Sequence, residues 1–259
     1  MQEHDMRMVV DKRDGEGILQ VGPKVTAIVS CMTDGDRPFA REAILSAVHQ
    51  TVPIPVHIYV QHSNDWIDAM VQGLPHISVR RIPLAPLAAV RNLGVEEAET
   101  EYVAFLDGDD IWMPGKIERQ LEVIEQTGAG LVGTDHVLVR ADGVRFGFST
   151  AGNLPMPSAW LVRRSAMLRY PFINTVAEDG DWWLRTRNTI DKRRIPEFLI
   201  EYRVRPHSLS SASSGKRRKE IACRLGAYPV LREVLLGFTW LVHHVSRRDQ
   251  YVWHDRIGA

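Results

Sequence analysis

The chain has 259 residues, 44% of them hydrophobic, and its 32 basic and 32 acidic residues give no net charge. This size allows one large α/β domain or two small ones, and no nucleic-acid partner is expected. No apolar run approaches the ~20 residues of a membrane-spanning helix, and Cys31 and Cys223 lack metal or redox spacing, which fits a reducing compartment without disulfides.

The charges are unevenly distributed along the chain. Acidic residues predominate in residues 1–162 and basic residues in residues 163–259. Two such halves suit a site that binds a cation and an anionic ligand together. The alternative is that solvated faces differ in charge without any functional reason.

The first half of the chain alternates strand and helix patterns. Residues 1–23 are charged and lack an apolar core, so we predict a leader that is not a signal peptide. The predicted strands are Val25–Met32, Val56–His62, His76–Ile82 and Tyr102–Asp107. The predicted helices are one that starts at Pro38, a short one at 65–73, one at Leu87–Glu99 and one from about Pro114 to Gln126. This alternation predicts a mostly parallel sheet with right-handed crossovers.

Beyond residue 130 the pattern changes. We predict a hairpin that turns at 141–143, a strand at Ser158–Val162, a helix at Glu178–Asn188, a strand at Pro196–Val204 and a polar loop at His207–Gly215. From Pro229 to Val245, apolar residues at 231, 235, 238, 242 and 245 predict an amphipathic helix. The expected organisation is a leader (1–23), one domain (24–215) and a helical tail (216–259).

The most informative stretch is EYVAFLDGDDIWMPGK, which places Asp107, Asp109 and Asp110 directly after a buried strand. Parallel sheets bind ligands at the carboxyl ends of their strands. Three close carboxylates repel one another, and burial makes each charge costly. A hard cation such as Mg²⁺ or Mn²⁺ would relieve this repulsion. The alternative is a helix N-cap, in which Asp109 or Asp110 accepts free backbone amides.

Several motifs in sequence order resemble family 2 glycosyltransferases, which have the GT-A fold. They are Gln50–Thr51 at a helix end, the AVRNLG of Ala89–Gly94, Asp107–Lys116, the AEDGDWWLR of Ala177–Arg185 and the EYRVRPHSLS of Glu201–Ser210. The resemblance covers roughly residues 24–215. It implies a Rossmann-like α/β domain with a mostly parallel sheet flanked by helices, followed by the helical tail.

The resemblance also implies a reaction and its main residues. The expected enzyme moves a sugar from a nucleotide-diphosphate sugar to an acceptor hydroxyl and inverts the anomeric configuration. Asp107 and Asp109 would hold the Mn²⁺ or Mg²⁺ that bridges the diphosphate. Asp179 is expected to be the base that deprotonates the acceptor, with Glu178 and Asp181 as rivals. The alternative for these acids is a helix N-terminus, where they complement the dipole.

The expected donor contacts depart from the family pattern in one loop. Gln61 and His62 stand where the family usually has acids that hold the base and ribose, yet a Gln amide can still pair with uracil. A UDP-sugar is therefore favoured. Thr33 and Asp34 are expected near the nucleotide, and Arg91 near the diphosphate or nucleotide.

A second departure lies after the last predicted strand. Arg205 stands where many relatives have His, and we expect it to pair with the diphosphate through its forked guanidinium. His207 follows two positions later and is a candidate metal ligand. The alternative for His207 is a loop residue without a ligand.

The alternatives to a glycosyltransferase are a catalytically silent nucleotide-sugar-binding module of the same fold and a nucleotidyltransferase. The acceptor would be a glycan, a lipid-linked molecule or a protein. The tail helix must bury its apolar stripe on the domain, in a homodimer or on a membrane, where Arg217, Arg218, Arg247 and Arg248 would meet anionic head groups. We expect self-association ahead of membrane contact. The expected location is cytoplasmic, or peripheral at the inner face of the membrane.

Overall fold

The computed structural model describes residues 22–149, 155–175, 177–205 and 214–245, with side chains from residue 218 onward in the last range. The strands are β1 (Val25–Cys31), β2 (Val56–Gln61), β3 (Ile77–Ile82), β4 (Tyr102–Asp107), β5 (Ile111–Trp112), β6 (Leu131–Arg140), β7 (Arg145–Phe148), β8 (Trp160–Arg163) and β9 (Lys192–Val204). The helices are α1 (Arg37–Val48), α2 (Trp66–Val71), α3 (Leu87–Glu97), α4 (Lys116–Thr127), α5 (Arg164–Arg169), α6 (Glu178–Arg185), α7 (Ser214–Leu225) and α8 (Pro229–Val245). His207, Arg247, Arg248 and nearly all of the predicted leader lie outside the described residues.

All nine strands join one sheet in the order β3-β2-β1-β4-β8-β6-β9-β5, with β7 paired to β6. The pairings β1–β2, β1–β4 and β2–β3 are parallel, as the strand–helix alternation predicts. Every residue of β1 is buried, because helices cover both faces of a parallel sheet. This half of the sheet therefore follows directly from its apolar runs.

The second half of the sheet is mixed. Strand β8 runs antiparallel to β4 and β6, and β9 runs parallel to β6 and antiparallel to β5. Strand β9 starts at Lys192, four residues before the predicted start, and its register shifts around Pro196. Proline donates no backbone hydrogen bond, so it is tolerated at such a bulge. The α/β GT-A class is confirmed, with antiparallel strands added after residue 130.

The tail helix α8 has the predicted bounds, but it packs through a different face. Thr239 Oγ1 accepts the Phe148 N–H at 3.1 Å, and the His243 ring lies 4.2 Å from the Phe198 ring. His243 Nδ1 also lies 3.0 Å from Asp135 Oδ2. Neither Thr239 nor His243 belongs to the apolar stripe that predicted the helix. These polar and aromatic contacts with the sheet orient the helix, so part of the apolar stripe stays exposed.

Residues 214 and 215 were predicted to end a polar loop, but the structure makes them helical. They begin helix α7, which places Ala222 and Cys223 against the small apolar cluster of Leu138, Phe146 and Val204. Ser, Lys and Arg dominate the start of this helix, so its sequence gives little apolar signal. Contact with the β6–β7 hairpin explains why the segment is helical.

Lys116 is a buried cation at the start of α4. Its Nζ donates a hydrogen bond to Gln120 Oε1 at 2.8 Å and lies 4.2 Å from the centroid of the Trp112 ring. No carboxylate forms an ion pair with it within the described part of the chain. Burial therefore lowers the pKa of Lys116 well below its usual value.

We expect the contribution of Lys116 to stability to rise with pH. Its pKa is lower in the folded state, so the unfolded chain binds more protons between the two values. The free energy of unfolding should then increase through that window by up to ~1.4 kcal/mol per pH unit. Urea unfolding at about pH 7 and about pH 9 measures this. Lys116→Met should remove the increase, whereas the exposed control Lys24→Met should keep it; equal slopes in both variants would contradict the assignment.

Candidate active site

The candidate site lies at the carboxyl edge of the parallel half-sheet. Ser30 of β1 pairs in register with Asp107 of β4, and Cys31 pairs with Val60 of β2. The three strands therefore end together, which places the loop after β1, the end of β2 and the Asp107–Asp110 turn side by side. Parallel alignment explains this convergence, since each strand delivers its last residues to the same edge.

The Asp107–Asp110 turn is held tightly against β1. Gly108 N–H donates to Ser30 O at 2.9 Å, and a Cβ at Gly108 would lie 2.9 Å from that same oxygen. Asp107 N–H donates to Ser158 Oγ at 3.1 Å. A side chain at position 108 would push the turn off the strand, so glycine is required for this approach.

Asp109 faces a guanidinium. Its Oδ2 lies 2.6 Å from Arg205 Nε, and Arg205 Nη2 donates to Asp36 Oδ1 at 3.0 Å. Burial raises the pKa of Asp109 to about 6; Arg205 opposes this rise, and the carboxylates of Asp107 and Asp36 add to it. Arg205 therefore offsets only part of the effect of burial on this carboxylate.

Asp110 serves the fold rather than the open site. It is fully buried, and its Oδ1 accepts the Arg203 N–H at 3.1 Å, which ties the turn to β9. Burial, together with the charges of Asp109 and Asp107, raises the pKa of Asp110 well above its usual value. The helix N-cap alternative is wrong, because the next residues form β5 and α4 begins only at Lys116.

Arg91 joins the two sides of the site. Its buried guanidinium donates Nη2–H to Asp107 Oδ1 at 2.8 Å and Nη1–H to Glu178 Oε1 at 2.7 Å. Burial opposes the charge, but the carboxylates of Asp107 and Glu178 outweigh it and keep the pKa of Arg91 above its usual value. For the acid Glu178, burial raises the pKa, and the positive charge of Arg91 opposes this rise. Arg91 thus contacts the protein's own acids here.

The acidic side of the site is the first turn of α6. Glu178 is bound to Arg91, and Asp181 Oδ2 accepts from Arg185 Nε at 2.7 Å. Asp179 Oδ1 accepts the Gly180 N–H at 2.8 Å, and no Lys or Arg of the described residues forms an ion pair with it. Asp179 is therefore the carboxylate of this turn that is least engaged by cations.

The tryptophans of α6 belong to the core. Trp182 and Trp183 are both fully buried and pack against Trp160, with ring centroids 5.2 Å and 5.9 Å away. Both rings therefore serve the core, and neither offers an open face on which a sugar could stack.

The other expected nucleotide contacts line the same edge. Asp34 Oδ1 accepts from Trp66 Nε1 at 3.0 Å, and the Thr33 N–H donates to Asp36 Oδ2 at 3.0 Å. Gln61 is the last residue of β2 and is partly exposed. These residues lie where a nucleotide would lie in a parallel α/β sheet.

Two charged residues near the site were not predicted from the sequence. Asp36 fixes Arg205, and its only signal was a second acid in the TDGDRP loop. Lys219 of α7 lies with its Nζ 4.2 Å from the Tyr202 ring centroid. Burial lowers the pKa of Lys219, whereas Asp110 and Asp179 oppose the change, so the ammonium lies within electrostatic reach of both acids.

The carboxylates suit a divalent cation only with help from a ligand. Within the described residues, no three His, Cys, Asp or Glu side chains are grouped as a complete metal site. Asp107 and Asp109 are nevertheless oxygen donors that lie one residue apart in the same turn, and burial with the neighbouring carboxylates raises the pKa of Asp109. Mg²⁺ commonly binds through one or two carboxylates plus substrate phosphates. The residues present therefore fit such an ion.

Comparison with known proteins matches the chain to one family model and to curated relatives. The family model described as glycosyl transferase family 2 matches residues 27–194. TuaG of Bacillus subtilis (strain 168), a glycosyltransferase named for teichuronic acid biosynthesis, is 41% identical over 48% of this chain and 55% of its own length. ExoO of Rhizobium meliloti (strain 1021), named for succinoglycan biosynthesis, is 32% identical over 47% of this chain and 35% of its own. The chain thus spans about half or less of the curated relatives it matches.

Solved structures share the fold at lower identity. S. aureus TarS 1–349 in complex with UDP-GlcNAc superposes with a TM-score of 0.61 and 17% identity, over 86% of this chain and 73% of that one. The same protein in complex with UDP gives a TM-score of 0.57 and 16% identity, over 80% and 72%. In the described part of this chain, no helix has both the length and the apolar content to cross a membrane.

Proposed function

This chain belongs to glycosyl transferase family 2, and we propose that it transfers a sugar from a nucleotide-diphosphate sugar to an acceptor hydroxyl. The observation that carries the proposal is the pairing of two acidic groups in one site. The Asp107–Asp109 turn and the Glu178–Asp179 turn are joined by the buried Arg91. A UDP-sugar is the favoured donor, since TarS, which shares the fold, binds UDP-GlcNAc.

We propose that Asp107 and Asp109 hold Mn²⁺ or Mg²⁺ when the donor is present. The ion supplies Lewis-acid stabilisation of the departing diphosphate. Thr33, Asp34 and Gln61 would contact the nucleotide, and Arg205 the diphosphate. His207 stays a proposed further ligand and lies outside the described residues.

The catalytic role falls to Asp179. As the acceptor oxygen attacks the anomeric carbon, the bond from that carbon to the diphosphate oxygen breaks, and the hydroxyl proton passes to the Asp179 carboxylate. Attack from the face opposite the leaving group inverts the configuration. Arg91 donates to the Glu178 carboxylate and fixes it, so Glu178 orients the turn beside Asp179.

The acceptor class is proposed from the relatives. TuaG and ExoO are both named for polysaccharide biosynthesis, which favours a glycan or a lipid-linked glycan over a protein.

We also propose that the chain is divided into a catalytic domain (24–215) and a tail (216–259). Its proposed location is cytoplasmic, or peripheral at the inner membrane face.

The test is a panel of UDP-, GDP-, dTDP- and CDP-sugars, each with and without Mn²⁺. A ligand that binds only the folded state raises the unfolding midpoint, and slow donor hydrolysis reports turnover. We expect the largest Mn²⁺-dependent shift and hydrolysis with a UDP-sugar. Binding without hydrolysis or transfer would favour the silent module. Pyrophosphate release from a nucleoside triphosphate and a sugar phosphate would favour a nucleotidyltransferase.

We propose that the exposed face of α8 binds a second copy of this chain. Leu231, Val234, Phe238, Leu241 and Val245 are 42%, 62%, 63%, 54% and 79% exposed. Their spacing alternates three and four residues, which is the a/d pattern of a helix that packs along another helix. The opposite face, with Thr239 and His243, already packs on the sheet. A helical seam of this kind favours a partner helix over a lipid surface.

The double variant Phe238→Glu/Leu241→Glu should halve the mass measured by light scattering, because it places two charges in the seam. Leu84→Glu, at a 64% exposed residue in the connection between β3 and α3, is the matched control and should keep the wild-type mass. A monomeric wild type that binds vesicles of anionic phospholipid would assign the face to a membrane. A monomeric wild type that ignores such vesicles would contradict both forms of association.

A further inference from the structure

The Arg205 guanidinium lies between the carboxylates of Asp36 and Asp109 and pairs with both. Its Nε lies 2.6 Å from Asp109 Oδ2, its Nη2 donates to Asp36 Oδ1 at 3.0 Å, and its Nη1 donates to Gly35 O at 2.6 Å. The guanidinium therefore acts as an internal counter-cation for Asp109. An ion that bound Asp109 would have to share or replace this contact.

The contact with Asp109 is close but poorly directed. The buried Nε–H of Arg205 has no aligned hydrogen-bond acceptor, although Asp109 Oδ2 is only 2.6 Å away. A buried donor that is poorly aligned with its acceptor is only partly compensated for its lost hydration. A diphosphate offers oxygens in the geometry that a guanidinium fork matches. Arg205 thus has a better partner in the proposed donor than in Asp109.

The backbone beside Arg205 is held while its side chain can exchange partners. The neighbouring Arg203 donates its N–H to Asp110 Oδ1 at 3.1 Å and its Nε–H to Asp109 O at 3.0 Å. Its Nη2 forms an ion pair with Glu42 at 2.9 Å. These contacts fix the end of β9 against the Asp107–Asp110 turn. A rotation of the Arg205 side chain alone is enough to release Asp109.

We propose that Arg205 exchanges partners, from the Asp109 carboxylate to the donor diphosphate, and thereby makes cation binding and nucleotide binding cooperative. The cation alone must compete with the guanidinium for Asp109, and the diphosphate alone meets the carboxylates of Asp36, Asp107 and Asp109. Bound together, the diphosphate holds the guanidinium and Asp109 is free for the cation. This inference rests on the proposed nucleotide-sugar function.

The experiment measures Mn²⁺ binding to the full chain by electron paramagnetic resonance of free Mn²⁺, without and with saturating UDP. In the wild type, UDP should raise Mn²⁺ affinity about 10–100-fold, within the usual range of coupling between two sites. In Arg205→Gln, Mn²⁺ alone should bind more tightly than in the wild type, and UDP should raise its affinity by a clearly smaller factor, because only the direct contact between phosphate and ion remains. By reciprocity, Mn²⁺ should raise UDP affinity by the same reduced factor in this variant.

Two further variants keep the result interpretable. Arg81→Gln removes a partly exposed arginine of β3 that pairs with Asp65 and Asp68 and not with the Asp107–Asp110 turn, and it should keep wild-type coupling. Arg205→Lys keeps the charge without the fork; it should fold if Arg205→Gln does not, and it should show reduced coupling. Wild-type coupling in the Arg205 variants would overturn the exchange and leave the proposed function intact. No Mn²⁺ binding by the wild type, even with UDP, would overturn the proposed metal site and the exchange together.

Discussion

Asp179→Asn should leave donor binding close to that of the wild type and lower the rate of sugar transfer by about 10²–10⁴-fold, the range for general acid–base groups. The amide has nearly the same shape as the carboxylate but cannot accept a proton at neutral pH. The amide oxygen of the variant can still accept the Gly180 N–H that Asp179 accepts now. The measurement is single-turnover transfer, with UDP affinity determined in parallel.

The matched control is Asp181→Asn. Asp181 lies on the same turn but is already paired with Arg185, so this variant should lose far less activity. A parallel loss of donor affinity and rate in Asp179→Asn would make Asp179 a donor contact or a structural residue. In that case Asp181 becomes the next candidate base, because Glu178 is held by Arg91.

Asp109→Asn should abolish the effect of Mn²⁺ on donor binding and lower transfer by about 10²–10³-fold, the cost of losing one preorganised electrostatic group. The fold should survive, because Arg205 keeps its contacts with Asp36 and Gly35, and Arg203 keeps its contact with the backbone carbonyl of residue 109. The measurements are UDP affinity with and without Mn²⁺ and the unfolding midpoint of each protein.

The pH dependence of Mn²⁺ binding tests the same residue. The pKa of Asp109 is about 6, and a metal ligand must be deprotonated. Mn²⁺ affinity of the wild type should therefore fall as the pH is lowered through about 6, and Asp109→Asn should lack this transition. Wild-type turnover and Mn²⁺ dependence in the variant would show that the carboxylate does not serve the ion.

Much of the site could be predicted from local sequence. The apolar runs of β1, β2 and β4 predicted a parallel edge, and Asp107 follows β4 directly, so its position at that edge followed from its place in the chain. The acids at the start of α6 were equally visible. Their environments were not, because Asp110 and Asp109 differ by one position yet one is fully buried and the other faces Arg205.

The tail illustrates the same limit. The periodicity of α8 predicted its bounds, since helix formation depends on local pattern. Which face packs depends on the partner surface, and there Phe148, Phe198 and Asp135 select Thr239 and His243. The periodicity of one helix contains no information about that surface.

The sequence by itself determined the family, the parallel half of the sheet and the place of the carboxylate turn, because these depend on short motifs and on neighbours in the chain. Only the tertiary structure decided which charges neutralise one another. Arg91 and Glu178 are 87 residues apart, and Arg205 and Asp36 are 169 apart. Such pairs form because burial of a charge is costly without a partner, and the nearest partner in space is known only once the sheet has folded.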